Sequence, residues 1–125
     1  MRKAEDDYRL VERIVADPDP LHDQLCFHCQ QSAEKYLKAL LEELGLRIPR
    51  THILKDLLAI LRPHHPSLSS FRRGLTYLTR FAVEIRYPGD SASKRQAMAA
   101  RRWAGRVRDA CRASLGIRPP RRRTP

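Results

Sequence analysis

The chain has 125 residues, 42% of them hydrophobic and 31% charged, with a formal net charge of +11 at pH 7. One domain of this size buries roughly two thirds of its unfolded surface, so two folded domains are excluded. No run approaches the ~20 apolar residues that a membrane span needs.

The charge is uneven. Residues 1–93 carry 14 Lys and Arg against 13 Asp and Glu, whereas residues 94–125 carry 11 against one. The opening residues, Met1 to Asp7, contain no apolar signal core, and a cytoplasmic location is the expectation.

The elements are helical throughout. From Ala4 to about Ala16, Tyr8, Val11, Ile14 and Val15 recur at helical intervals until Asp17-Pro18-Asp19-Pro20 breaks the pattern. A second helix is predicted from Leu21 or Asp23 to Leu44, with Gly45 as its C-terminal cap. A third, short helix follows Thr51, whose hydroxyl is expected to cap it, and carries Ile53, Leu54, Leu57, Leu58 and Leu61 before Pro63. A fourth is predicted over 67–86, where Phe71, Leu75, Leu78, Ala82 and Ile85 form a stripe that Pro88-Gly89 ends. The fifth opens at Ser91 or Ser93, with a stripe of Ala97, Ala100, Ala104, Val107, Cys111 and Ser114, and closes at Gly116.

No strand pattern and no repeat interrupts this series. The expected architecture is an all-α, antiparallel up-and-down bundle over residues 1–115, with four long helices and one short one, followed by a disordered basic tail over 116–125. Such a tail attracts polyanions, nucleic acid foremost. Phe27, Tyr77 and Phe81 lie off the main stripes of their helices, and a second copy of the chain covering them makes a homodimer.

Two constellations carry the chemistry. On the second helix, at 100° per residue, Gln24, His28, Gln31, Lys35, Lys38 and Glu42 lie opposite the apolar row of Leu25, Cys29, Ala33, Tyr36, Leu37, Leu40 and Leu44. A row of imidazole, carboxamide and ammonium groups suits phosphate and base edges, and it equally suits a solvated face. At the end of the fourth helix, Arg86, Tyr87 and Asp90 have the makings of a phosphate clamp, the guanidinium gripping two oxygens and the phenol stacking or donating. Arg86 in a last helical turn is also favoured by the helix dipole.

Metal chemistry finds little support. Cys26-Phe27-His28-Cys29 has the spacing of a zinc or redox half-site, yet no second cysteine pair exists, and Cys26, Cys29 and Cys111 read as small core residues of a reduced protein. Of the five histidines, only His52 has a carboxylate, Asp56, four residues on along a predicted helix. No metal and no cofactor is expected.

The string from Cys26 to Leu41, CFHCQQSAEKYLKALL, resembles the second-helix signature of the HEPN domain, written F-H-x-Q-Q-x-x-E-K-x-L-K-A. Thr51-His52-Ile53-Leu54-Lys55-Asp56-Leu57 is similar to that family's T-H-x-L-x-x-L, and Arg86-Tyr87-Pro88 to its R-Y-P. The resemblance spans roughly residues 4–115. It implies a helical bundle, commonly a homodimer, working with a minimal nucleotidyltransferase and in several cases as a toxin–antitoxin module. The resulting expectation is a nucleotide- or RNA-binding subunit using Arg86, Tyr87, Asp90, Lys35 and Gln31.

Members that cleave RNA carry an Arg and a His separated by four to six residues and need no metal. Arg86 fits the first position, but the second falls on Ser91, Ala92 or Ser93, none a histidine. An alternative is therefore a metal-independent endoribonuclease toxin in which Arg86 works with His28 or His52, brought close by folding or by a second subunit. A Tyr near the Arg motif is modified by the nucleotidyltransferase in some members, and Tyr87 is the nearest candidate here, although its spacing from Arg86 differs. A third alternative is a non-catalytic basic dimeric scaffold.

Overall fold

The computed structural model describes residues 2–17, 21–82 and 91–116. It is all-helical: α1 (Arg2–Ala16), α2 (His22–Glu43), α3 (Leu54–Leu61), a 3-10 segment (Pro66–Phe71), α4 (Arg72–Thr79) and α5 (Lys94–Ser114). Among the described residues no helix is long and apolar enough to cross a membrane.

Helix α2 is the hub, packed against α1, α3, α4 and α5. Its apolar row enters the core as expected, with Leu25, Cys29, Ala33, Tyr36, Leu37 and Leu40 all at most 1% exposed. Burial extends well beyond that row to Cys26, Gln30, Ser32, Glu34 and Leu41. The Ser32 hydroxyl donates to the Ala4 carbonyl of α1 at 3.2 Å. The helix ends as Gly45 implies. Gly45 takes φ +69°, its N–H reaches Glu42 O at 3.0 Å, and the Leu46 N–H reaches Leu41 O at 2.9 Å, a Schellman closure that satisfies otherwise orphaned carbonyls.

At the start of α5, Ser93 and Gln96 form a reciprocal capping box. The Gln96 N–H donates to Ser93 Oγ at 3.1 Å, and the Ser93 N–H donates to Gln96 Oε1 at 2.9 Å. The small stripe Ala97, Ala100, Ala104, Val107 and Cys111 is buried against the bundle, with Ser114 at its margin. Glu5 of α1 grips Arg108 at 3.1 Å and Arg112 at 2.8 Å, and Glu12 meets Arg101 at 3.3 Å, which aligns α1 along α5.

Two expectations change. The hydroxyl of Thr51 does not cap α3; it accepts from the Ile53 N–H at 3.0 Å in a local turn. The first helical N–H, that of Leu54, instead donates to Thr79 Oγ1 at 3.1 Å, and Thr79 in turn donates to Leu75 O at 2.8 Å. The fourth helix is also shorter than its stripe. Pro66–Phe71 is a 3-10 turn in which Ser70 Oγ donates to Ser67 O, and α4 ends at Thr79 as the bonds of Phe81 and Ala82 revert to three-residue spacing. An apolar stripe records which side chains are buried, and Phe81 is buried beyond the helix end without being helical.

The aromatic residues expected to await a second copy are largely covered within one chain. Phe81 is 3% exposed, and Tyr77 stacks edge-on against it with centroids 5.5 Å apart while its hydroxyl donates to Gln96 O at 3.1 Å. Phe27 is half-buried with its ring edge-on to His28. Arg86, Tyr87, Asp90 and the tail over 117–125 lie outside the described residues.

Candidate functional site: carboxylate-held histidines beside the central helix

Heptad spacing puts His28 and Lys35 two turns apart on the same edge of α2, and α1 brings Asp7 between them. Asp7 is 9% exposed. Its Oδ1 lies 3.0 Å from His28 Nδ1, and its Oδ2 accepts from Lys35 Nζ. A carboxylate at neutral pH only accepts, so Nδ1 of His28 carries the hydrogen and Nε2 keeps its lone pair when the ring is neutral. Lys35 uses one of its three donors on Asp7.

A second cluster is built the same way on the adjoining face. Glu34, 5% exposed, receives His52 Nδ1 at 2.7 Å and Gln30 Nε2 at 3.0 Å on Oε1, and Lys38 Nζ at 3.1 Å on Oε2. Gln30 Nε2 also reaches the His52 carbonyl at 3.3 Å, and Gln31 Nε2 donates to Gln30 Oε1 at 2.7 Å. Burial by itself would raise the Glu34 pKa; the hydrogen bonds from His52, Gln30 and Lys38 outweigh it and hold the carboxyl below its ordinary value. His52 precedes α3, and its side chain remains 66% exposed.

Each carboxylate therefore fixes one histidine tautomer and one lysine. An imidazole held through Nδ1 by a buried carboxylate has the local form of a general base, with Nε2 as the atom that takes a proton. A lysine with two donors left over has the local form of a phosphate contact.

Of the residues singled out in the sequence, His28, Lys35, Lys38, Gln31 and His52 take part in these two clusters. Gln24 and Glu42 sit on exposed positions away from them. Asp7 and Glu34, which organise both clusters, were missed. The i, i+4, i+8 spacing of Gln30, Glu34 and Lys38 is the signal that points to Glu34. For Asp7 no comparable signal exists, because it arrives from another helix. The His52–Asp56 pairing gives way to His52–Glu34.

Cys26, Cys29 and Cys111 are buried, and none takes part in a disulfide. Burial pushes the Cys29 thiol far up and the Cys111 thiol up to about 12, which favours the protonated form of both. Among the described residues no group of three or more His, Cys, Asp or Glu side chains is arranged to hold a metal ion.

A family model described as the HEPN domain matches residues 1–114. Neither a curated protein nor a solved structure matches the chain.

Proposed function

This chain belongs to the HEPN domain family, and on that premise we propose that it is a nucleotide- or RNA-binding subunit, homodimeric, that acts with a minimal nucleotidyltransferase in a toxin–antitoxin module. The observation that carries the binding reading is the Asp7–His28–Lys35 cluster. Its half-buried ammonium is fixed in place by a carboxylate, so a phosphate meets a cation that needs little further ordering, while the neutral imidazole offers Nε2 only as an acceptor. In this reading Arg86, Tyr87 and Asp90 supply the clamp, Lys35 supplies a point charge, and Gln31 offers its carboxamide oxygen and the one N–H not donated to Gln30.

The test is fluorescence anisotropy with a labelled single-stranded RNA and with a labelled ATP analogue, comparing wild type, Arg86→Ala and Lys35→Gln. Wild-type binding to either probe that weakens at least about tenfold in Arg86→Ala supports the reading, since a charge-assisted phosphate contact is worth ~1.5–3 kcal/mol. Absence of binding to both probes at low salt sinks it.

A second reading, a metal-independent endoribonuclease, is favoured by the carboxylate-held tautomers of His28 and His52. The ribose 2′-hydroxyl proton would pass to Nε2 and the 2′-oxygen would attack phosphorus. The 5′-oxygen would leave with a proton from water, giving a 2′,3′-cyclic phosphate, with Arg86 opposite the developing charge. Cleavage of RNA in EDTA by wild type but not by identically prepared Arg86→Ala and His28→Ala or His52→Ala would select this reading over the first.

A further inference from the structure

Helix α5 divides its arginines between two jobs. Arg101, Arg108 and Arg112 turn toward α1 and meet Glu12 and Glu5. Arg95, Arg102 and Arg106 lie about 120° further round the helix, within about 40° of arc at 100° per residue. All three are exposed, and none has a carboxylate partner among the described residues. They run about 16 Å along the helix at 1.5 Å per residue. Beside them lies a shallow groove of about 330 Å³, lined by Tyr8, Arg101, Arg102, Gly105, Arg106 and Asp109.

We propose that the Arg95–Arg102–Arg106 face of α5 binds the phosphodiester backbone of RNA, with the adjoining groove receiving the strand. This names the docking surface for the RNA reading above and rests on it. Three guanidiniums on one face, about two turns and then one turn apart, match a polymer of single negative charges, and each can grip two phosphate oxygens. Arg106 is further oriented by stacking over Trp103, 5.3 Å from the ring centroid. Gly105 leaves the floor of the groove without a side chain. The single carboxylate in the lining, Asp109, lies 3.7 Å from Arg108 and is partly offset by it.

An anionic membrane fits this face less well. A membrane-surface helix sets apolar side chains beside its cations. The apolar stripe of α5, from Ala97 to Cys111, is buried inside the bundle.

The experiment measures binding of the full chain to a single-stranded oligouridine across a salt series. It compares wild type, the triple variant Arg95→Gln/Arg102→Gln/Arg106→Gln, and a control, Lys55→Gln/Arg62→Gln/Arg72→Gln, that removes equal charge from a separate cleft beside α3. Far-ultraviolet circular dichroism confirms that both variants fold. The α5 variant is expected to bind at least about tenfold more weakly, with the slope of log K against log salt shallower by about 2, as for three lost phosphate contacts. The control is expected to bind nearly as wild type.

Equal weakening of both variants would make the effect one of net charge and overturn the proposal. So would an α5 variant that binds RNA normally but no longer sediments with phosphatidylserine vesicles. If Arg86→Ala abolishes RNA binding while the α5 variant is unchanged, the proposed function stands and this surface does not. If wild type binds no oligouridine, this surface falls, and the proposed function falls with it only where the ATP analogue also fails to bind.

Discussion

His52 Nδ1 lies 2.7 Å from Glu34 Oε1, so a histidine on the α2–α3 connection is fastened to a carboxylate buried in the central helix. Burial works against the charged carboxylate, but His52, Gln30 and Lys38 together keep the folded-state pKa below the ordinary value of 4.5. A depressed acid contributes stability that is fully present above its unfolded pKa and is lost as pH falls through the folded one. Glu34→Gln is therefore expected to cost about 2 kcal/mol at pH 7, the range for a charge-assisted hydrogen bond in a buried site. The difference from wild type should narrow as pH falls below 4.5. Urea unfolding at pH 7 and near pH 3.5 checks both parts, and a difference that widens in acid would contradict them.

Trp103 of α5 packs directly against Gly74 of α4. A Cβ on Gly74 would stand 2.0 Å from Trp103 Cε3 and 2.2 Å from Cδ2, so the ring packs directly on the glycine backbone. In an open helix Gly→Ala adds up to ~1 kcal/mol of stability. Here the sign should reverse: Gly74→Ala is expected to destabilise by about 1–3 kcal/mol through overpacking and to shift the emission of the single tryptophan. Trp103→Leu in the same background should recover part of the loss, because its side chain can withdraw. Thermal unfolding of wild type and the two variants, with the tryptophan emission of wild type and Gly74→Ala, decides it.

How far the sequence reaches depends on whether a feature is local. The end of α2 is legible because a Schellman closure needs positive φ, which Gly45 supplies at low cost. The start of α5 is legible because Ser93 and Gln96 cap each other within four residues. The end of α4 is not, since Phe81 and Ala82 continue an apolar spacing after the helical hydrogen bonds have stopped. Nor is the cap of α3, where Thr79, distant in sequence, displaces Thr51. The candidate site divides in the same way. Helical phase aligns His28 with Lys35, but it does not say which neighbouring helix lies across from them, and Asp7 comes from that neighbour.

The cysteines offer a check on the reading that they are core residues. With the Cys111 thiol at about 12, its thiolate at pH 8 is roughly one part in ten thousand, and Cys29 lies further still from ionising. Iodoacetamide at pH 8 should leave the native chain unlabelled over a time in which the unfolded chain is fully alkylated at all three positions. Rapid native labelling of Cys29, or protection lost on adding EDTA, would restore the Cys26–Cys29 spacing as a reactive or metal-binding feature.

The pairing of Asp7 with Lys35 separates structure from binding most directly, because the two residues come from different helices and one of them belongs to the proposed phosphate contact. A double-mutant cycle with Asp7→Asn and Lys35→Gln should give a coupling of about 1 kcal/mol in stability, a modest value because Lys35 is 33% exposed and water screens the pair. Asp7→Asn alone also weakens the hold on His28. If Lys35 contacts phosphate, Lys35→Gln should lower RNA affinity by more than its effect on folding can explain, at protein concentrations and temperatures where circular dichroism shows the variant fully helical. If the pair serves only to bind α1 to α2, the coupling in stability will persist while RNA affinity stays at the wild-type value.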